Sequence, residues 1–333
     1  MEQKMKIDIS VWAIVKIVLA IGICWAIFLL KDILVYLLAI LIVAAALRPT
    51  VNSWAKVIGR KSAVFAVVAI FAAVIFTAGY LLFPPLIQET IQFVNAIPFL
   101  IDKYAYLLTK IPYLDSGISQ LTQNLGVATS QVVTVAISLV SGIFALLMSL
   151  VLVVYFLLEE KIVVHMVENF APRGKKDQVS DLVNKITEKI GAWLRGEFLL
   201  MVIIGVSVYI FLRIMNVPYA LPIAVISGLL EVIPTLGPIF SGIIASVVAL
   251  SVSPLIALVT VIFYVVLQQL ENVVIVPKIM QKAVGLPPVI IIIAIIIAAR
   301  LFGITGALFA IPATAAGSIL YKEWINTKAK PNE

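Results

Sequence analysis

The chain has 333 residues, of which 63% are hydrophobic and 12% charged. A soluble domain carries roughly 25% charged and 45–50% apolar residues, and no water-soluble core hides this much apolar surface, so lipid covers the excess. The net charge of +7 comes without the aromatic–basic interleaving of a nucleic-acid platform; the basic residues flank apolar runs, where they meet anionic head groups and set orientation.

The runs specify helices. Residues 290–299 are apolar without a break, and 139–158 are interrupted only by Ser and Gly; a barrel strand would alternate apolar and polar positions. The expected fold is therefore all-α, a polytopic transmembrane helical protein with about eight membrane segments. No A-x-A site follows the first apolar run, so that run is expected to remain as a membrane segment. The single cysteine, Cys24, lies inside it and reads as a buried structural thiol.

In chain order, residues 17–30 and 33–47 flank Lys31–Asp32, a self-paired turn. The segment 48–61 carries Arg48, Lys56, Arg60 and Lys61 with no acid and is expected in the cytoplasm; a hairpin at Lys31–Asp32 then keeps Lys4, Lys6 and Lys16 inside as well. Residues 63–83 form a third span stopped by Pro84 and Pro85. Residues 84–133 are an amphipathic helical insert, poor in positive charge and so extracytoplasmic. Leu121, Leu125, Ala128 and Val132 continue a helical stripe into a fourth span at 135–158. A cytoplasmic region, 159–196, contains the stripe Val179, Leu182, Val183, Ile186, Ile190 and Leu194 of an amphipathic helix.

The membrane core is expected at 197–320, after the N-terminal three segments (1–83) and the fourth (134–158), and before a tail at 321–333. A fifth span covers 198–212. Residues 218–250 are too long for one crossing and are interrupted by Pro222, Pro234, Gly237 and Pro238. Residues 255–276 form a further span ending at Pro277. Residues 287–320 are again overlong and interrupted by Arg300, Gly303, Gly306 and Pro312. Two such runs are what broken helices look like, either bent spans or hairpins. Counting each as one crossing gives eight spans with both termini cytoplasmic, consistent with Lys322, Lys328 and Lys330 in the tail.

Catalytic chemistry finds little support. His165 is the only histidine and has no Cys or acidic cluster beside it in sequence, so neither a metal centre nor a Ser-His-Asp triad is expected. No G-x-x-x-x-G-K-[ST] loop occurs. No metal, cofactor or catalytic residue is expected, and the chain reads as a non-enzyme.

Charges inside apolar runs carry the functional signal, because each costs about 2.5–3.5 kcal/mol on insertion scales and tends to face a cavity or a partner. Glu231 precedes Pro234, Gly237 and Pro238, where proline frees backbone carbonyls. A carboxylate facing water there could bind a proton, a cation or a polar solute; the structural alternative is a cap on a half-helix or a pair with a lysine. Gln268, Glu271 and Asn272 share a helix face at i, i+3, i+4 and suit a hydroxylated solute, or else mark an interfacial end. Arg300 would need a carboxylate partner, with Glu231 and Glu271 the candidates, or would snorkel. Gly303, Gly306 and Pro312 lie in a small-residue segment that reads as helix packing. Glu197, after Arg195 and Gly196, reads as a structural charge at the N-terminus of the fifth span.

The segments Leu194-Arg195-Gly196-Glu197, Glu231-Val232-Ile233-Pro234-Thr235-Leu236-Gly237-Pro238, Glu271 with Pro277, and Leu301-Phe302-Gly303-Ile304-Thr305-Gly306 before Ala310-Ile311-Pro312 resemble the autoinducer-2 exporter family of bacterial transporters. The resemblance runs over nearly the whole chain, with its specific motifs in the C-terminal half. Two departures stand out: the family often has Gln at the position of Glu197 and a Gly-Gly pair at Ala298-Ala299. The resemblance implies an eight-span fold of the bacterial inner membrane, homo-oligomerisation, and movement of small solutes. Members are associated with export of autoinducer-2, others with sodium(lithium)/proton antiport.

The leading expectation is thus a secondary transporter exporting a small polar solute such as autoinducer-2, with membrane lipid as the other partner. The second is a monovalent cation/proton antiporter using Glu231 and Glu271. The third is a non-transporting membrane scaffold.

Overall fold

The computed structural model describes residues 29–108, 147–159, 162–169, 176–233, 236–280 and 287–329, with isolated positions between 12 and 25. The segment 109–146, and with it the stripe from Leu121 to Val132 and the first half of the fourth span, lies outside the described residues, as do Pro234 and Thr235. The chain divides into two compact units, Met1–Leu41 and Ile42–Glu333.

The elements are α1 (Lys31–Ile58), α2 (Arg60–Leu108), α3 (Leu147–Leu158), α4 (Ile162–Glu168), α5 (Lys176–Ile214), α6 (Ala220–Leu230), α7 (Leu236–Ala249), α8 (Pro254–Leu270), a π-helical turn (Glu271–Ile275), α9 (Val276–Met280) and α10 (Pro288–Ala329). Among the described residues, four stretches are long and apolar enough to cross a membrane: Lys31–Ile58, Arg60–Phe93, Lys176–Ile214 and Pro254–Met280. Leu147–Leu158, Ala220–Leu230, Gly237–Ala249 and Val289–Gly303 are shorter and equally apolar. This is a polytopic helical membrane protein.

Several boundaries differ from the sequence expectation, always toward longer helices. α1 begins at Lys31, with the Leu34 N–H donating to the Leu30 carbonyl across Lys31–Asp32 in helical i, i+4 spacing, and runs on through Pro49 to Ile58. Pro84 and Pro85 do not stop the third span: α2 continues to Leu108 as one 49-residue helix, about 74 Å long. The carbonyls those prolines leave without a helical donor lie in an outward-facing stretch, Tyr80 to Pro84, and the intact turns on either side carry the helix through. The amphipathic segment and the fifth span fuse into α5, which places Glu197 in mid-helix instead of at an N-terminus.

The two overlong runs fold back on themselves. α6 lies antiparallel to α5: Gly228 sits over the Met201 carbonyl, Gly205 faces Ala224, and Leu212 clusters with Ala220. α7 then returns alongside α6, bringing Ala245, Val248 and Ala249 into one cluster with Ala220, Ile223 and Ala224. At the tip, Gly237 packs so tightly that a Cβ would lie 2.0 Å from the Leu230 carbonyl oxygen. The arms have 11 and 14 residues, about 17 and 21 Å, short of a hydrocarbon core about 30 Å thick.

α10 reverses in the same way. Gly303 adopts φ 66°, ψ −150°, a region open essentially to glycine. A Cβ on Gly306 would lie 2.0 Å from the Ala298 carbonyl oxygen, although eight residues of straight helix would separate the two positions by about 12 Å. Pro312 sits buried in the second arm.

Outside contacts hold the first hairpin. Tyr219, the residue before α6, has φ 58° and offers no side-chain cap; Glu89 of α2 accepts the Leu221 N–H at 3.3 Å in its place, an acidic group suited to a helix N-terminus. Phe93 packs on Tyr219 with ring centroids 5.4 Å apart. On the other flank, Tyr264 of α8 hydrogen-bonds Ser227 of α6 at 2.9 Å and packs against Gly242 of α7, while Phe211 stacks on Phe263 at 3.9 Å.

Candidate functional site

Three carboxylates from three different elements meet at the tip of the first hairpin. Glu231 ends α6 at 2% exposure, Glu271 opens the π-helical turn at 3%, and Glu197 projects from the middle of α5 at 3%. Each arrives for a local reason. The chain leaves helical geometry after Leu230 and turns into α7, which fixes Glu231 at the tip. Gly196 lies against Ile279 and Met280 of α9, drawing α5 onto the end of α8 and setting Glu197 beside Glu271.

The π-helical turn shapes the third corner. The Val276 N–H reaches back five residues to the Glu271 carbonyl. Pro277 follows, with no N–H to give Val273 and a ring that crowds that carbonyl; widening the preceding turn relieves the clash. The wider turn changes the phase of the helix after Glu271. Gln268 stays beside Glu271 and donates from Nε2 to Oε1 at 3.2 Å, whereas Asn272 is exposed. The expected common face of Gln268, Glu271 and Asn272 is therefore broken at Asn272.

Glu231 and Glu271 are within hydrogen-bonding reach of each other, and Glu197 acts on both through its charge. Among the described residues, the charged groups that act on each of the three are the other carboxylates. Oε1 of Glu197 and Oε2 of Glu231 and Glu271 receive no hydrogen bond among the described residues. An ionised carboxylate only accepts, so a bond between Glu231 and Glu271 would need a proton held by one of them. No set of three His, Cys, Asp or Glu side chains among the described residues is placed to grip a metal ion.

This arrangement departs from the sequence reading at Glu231 and at Glu197. Arg300, expected to pair with Glu231 or Glu271 or else to snorkel, is exposed on α10, as the second alternative has it. Glu231 was expected to face water; it is sealed by protein. Glu197 was assigned a structural role at a helix end; it belongs to the cluster. A signal for it existed, since Glu197 directly precedes the apolar run 198–212. Gly237 and Pro238 are buried where the first hairpin turns, Pro234 lies outside the described residues, and Gly303 and Gly306 form the tip of the second hairpin.

A cleft of about 480 Å³ opens between α7 and α8, and Gln268 lines its end. The same amide thus touches both the cleft and the acidic cluster.

Lipid-spanning helices, two folded-back hairpins and buried acids at a hairpin tip define a polytopic membrane transport protein. The chain belongs to the family described as AI-2E family transporter, whose profile matches residues 14–326. It is 27% identical over 320 residues to "Putative transport protein MT0215" of Mycobacterium tuberculosis, covering 91% of this chain and 86% of that one. It is 24% identical over 331 residues to "Putative permease PerM" of Escherichia coli, covering 94% and 93%. "Putative transport protein YrrI" of Bacillus subtilis is 28% identical over 179 residues, 54% of this chain and 51% of that protein. The match to YrrI, like the 56% of a second Bacillus subtilis relative, YueF, spans about half the length of the relative.

Proposed function

We propose that this chain is a secondary transporter of the bacterial inner membrane that exchanges protons for a monovalent cation at the Glu197–Glu231–Glu271 cluster. The observation that carries this reading is three buried carboxyl groups whose charged neighbours are one another. Burying a carboxylate without a counter-charge costs several kcal/mol, so the cluster holds its charge down with protons or takes up a cation. Both occupants answer the same need, and exchanging one for the other is antiport. Glu231 and Glu271 hold the exchangeable proton, Gln268 orients Glu271, and Glu197 raises the demand for a positive occupant.

The occluded state fits a transport cycle. A site open to both sides at once would leak, so a sealed acidic pocket corresponds to an intermediate between the two openings. The tips of short helical arms, closed by backbone contacts at Gly237 and Gly306, are where opening would begin. The charge pattern of the segments between spans places both termini in the cytoplasm.

A second reading, proton-coupled export of a small polar solute such as autoinducer-2, is favoured by the family's description. It uses the same proton site.

The test is proton movement in proteoliposomes carrying a trapped pH dye. A sodium gradient is expected to drive proton flux in the wild type and to lose at least about tenfold of it, equal to 1.4 kcal/mol, in Glu231→Gln. Equal flux in the two proteins overturns the reading. Extracellular autoinducer-2 and sodium tolerance, compared in cells lacking and re-supplied with the protein, separate the two cargoes.

A further inference from the structure

The cleft between α7 and α8 has walls of one kind and an end of another. Ile243 and Val247 of α7 face Val261 and Val265 of α8, and the side-chain amides of Gln268 and Gln269 close one end. Its volume, about 480 Å³, falls in the range of small-molecule sites. The four apolar wall residues are each about half exposed, and they belong to helices that lie in lipid, so the mouth opens sideways onto the bilayer. The floor is firm: Tyr264, anchored on Ser227, backs the cleft at Gly242.

We infer that this cleft is the cargo site, and that it takes a small neutral amphiphile with an apolar body and one hydroxyl-type head, entering from the membrane. The walls offer mainly dispersion contacts, since the two hydroxyls that line them are engaged within the protein, Ser246 on the Gly242 carbonyl and Tyr264 on Ser227; this suits an apolar body better than a wholly polar solute. The amide oxygens of Gln268 and Gln269 accept from a hydroxyl. An anionic head is disfavoured, because Gln268 is hydrogen-bonded to the Glu271 carboxyl and Glu231 and Glu197 lie behind it. The same bond links occupancy to coupling: a head that draws on Gln268 perturbs the amide holding Glu271, which lies beside Glu231. This link rests on the proton-exchange reading; the cargo site itself does not.

The experiment uses the full chain in lipid nanodiscs and a photoactivatable octanol carrying a diazirine. Adducts are expected to concentrate on 239–247 and 261–269. Ile243→Trp and Val261→Trp, which fill the cleft from exposed positions, should lower labelling there about tenfold. In proteoliposomes, unlabelled octanol should change sodium-driven proton flux in the wild type. Gln268→Leu should keep the labelling and lose that response. Adducts spread evenly over the apolar faces of α5 and α8, and indifferent to the tryptophans, overturn the cargo site. A Val265→Cys disulfide joining two chains and abolishing labelling overturns it too, in favour of a second copy as occupant. Concentrated labelling together with flux that ignores Glu231→Gln supports the cargo site while removing the coupling reading. Evenly spread labelling with Glu231-dependent flux does the reverse.

Discussion

In the hairpin of α6 and α7, Gly237 rests on the carbonyl of Leu230; in the hairpin of α10, Gly306 rests on the carbonyl of Ala298, and a Cβ at either position would lie 2.0 Å from the oxygen. The closing device is the same, yet the tips differ in content. The first encloses the acid Glu231 with Glu271 and Glu197 around it, and the second leaves Arg300 exposed one turn before its bend. The second hairpin's turn is forced by one residue, Gly303 with its positive φ. The first has no positive-φ residue among its described tip positions and is held from outside by Glu89, Phe93 and Tyr264. Backbone geometry makes a hairpin; the side chains it brings together decide whether the tip can do chemistry.

The comparison can be broken most severely at the closing glycines. Gly237→Ala and Gly306→Ala each put a methyl group into a carbonyl oxygen, and neither arm can yield without opening the tip. Destabilisation of about 3 kcal/mol is expected for both, read as a lowered unfolding temperature in detergent. If Gly237→Ala alone were tolerated, the two tips would not share a closing device. Gly303→Ala strains the bend itself, and a cost of about 1–3 kcal/mol is expected with little effect on the first hairpin, measurable as increased hydrogen exchange confined to 288–320.

Glu231→Gln sharpens the contrast because its two effects have opposite sign. Removing a buried acid that has only acids for charged neighbours should raise stability by about 1 kcal/mol while proton flux falls. A variant that loses both stability and flux would make Glu231 a structural residue. Ser227→Ala removes the hydroxyl that Tyr264 holds at 2.9 Å; a loss of about 1 kcal/mol is expected, without change in the sodium dependence of flux. Arg300→Ala marks the low end, with unfolding temperature and proton flux both near wild type. Loss of flux there would bring the second tip into the transport pathway.

The acids at 231 and 271 were legible because a charge inside an apolar run is costly wherever the helix lies, so its presence signals a special environment before any fold is known. Glu197 was misjudged because a helix start was placed beside it. The polar stripe ending at Leu194 and the apolar run beginning at Phe198 looked like two helices, and the chain makes them one. Asn272 was grouped with Gln268 by regular α-helical spacing, which the π-helical turn before Pro277 abolishes. Pro84 and Pro85 were read as a stop, but the helix runs through them to Leu108, its neighbouring turns intact.

Composition and hydropathy by themselves determined that this chain lives in lipid, that it is helical, and that two C-terminal runs could not be simple spans; these follow from transfer free energies and helix length, which are local properties. Only the tertiary structure decided that both runs fold back and that three acids separated by up to seventy-odd positions share one pocket. It also decided that Arg300 stays out of that pocket. Which charges meet depends on close backbone approach at Gly228, Gly237 and Gly306, and a glycine in a sequence does not say which carbonyl it will rest on.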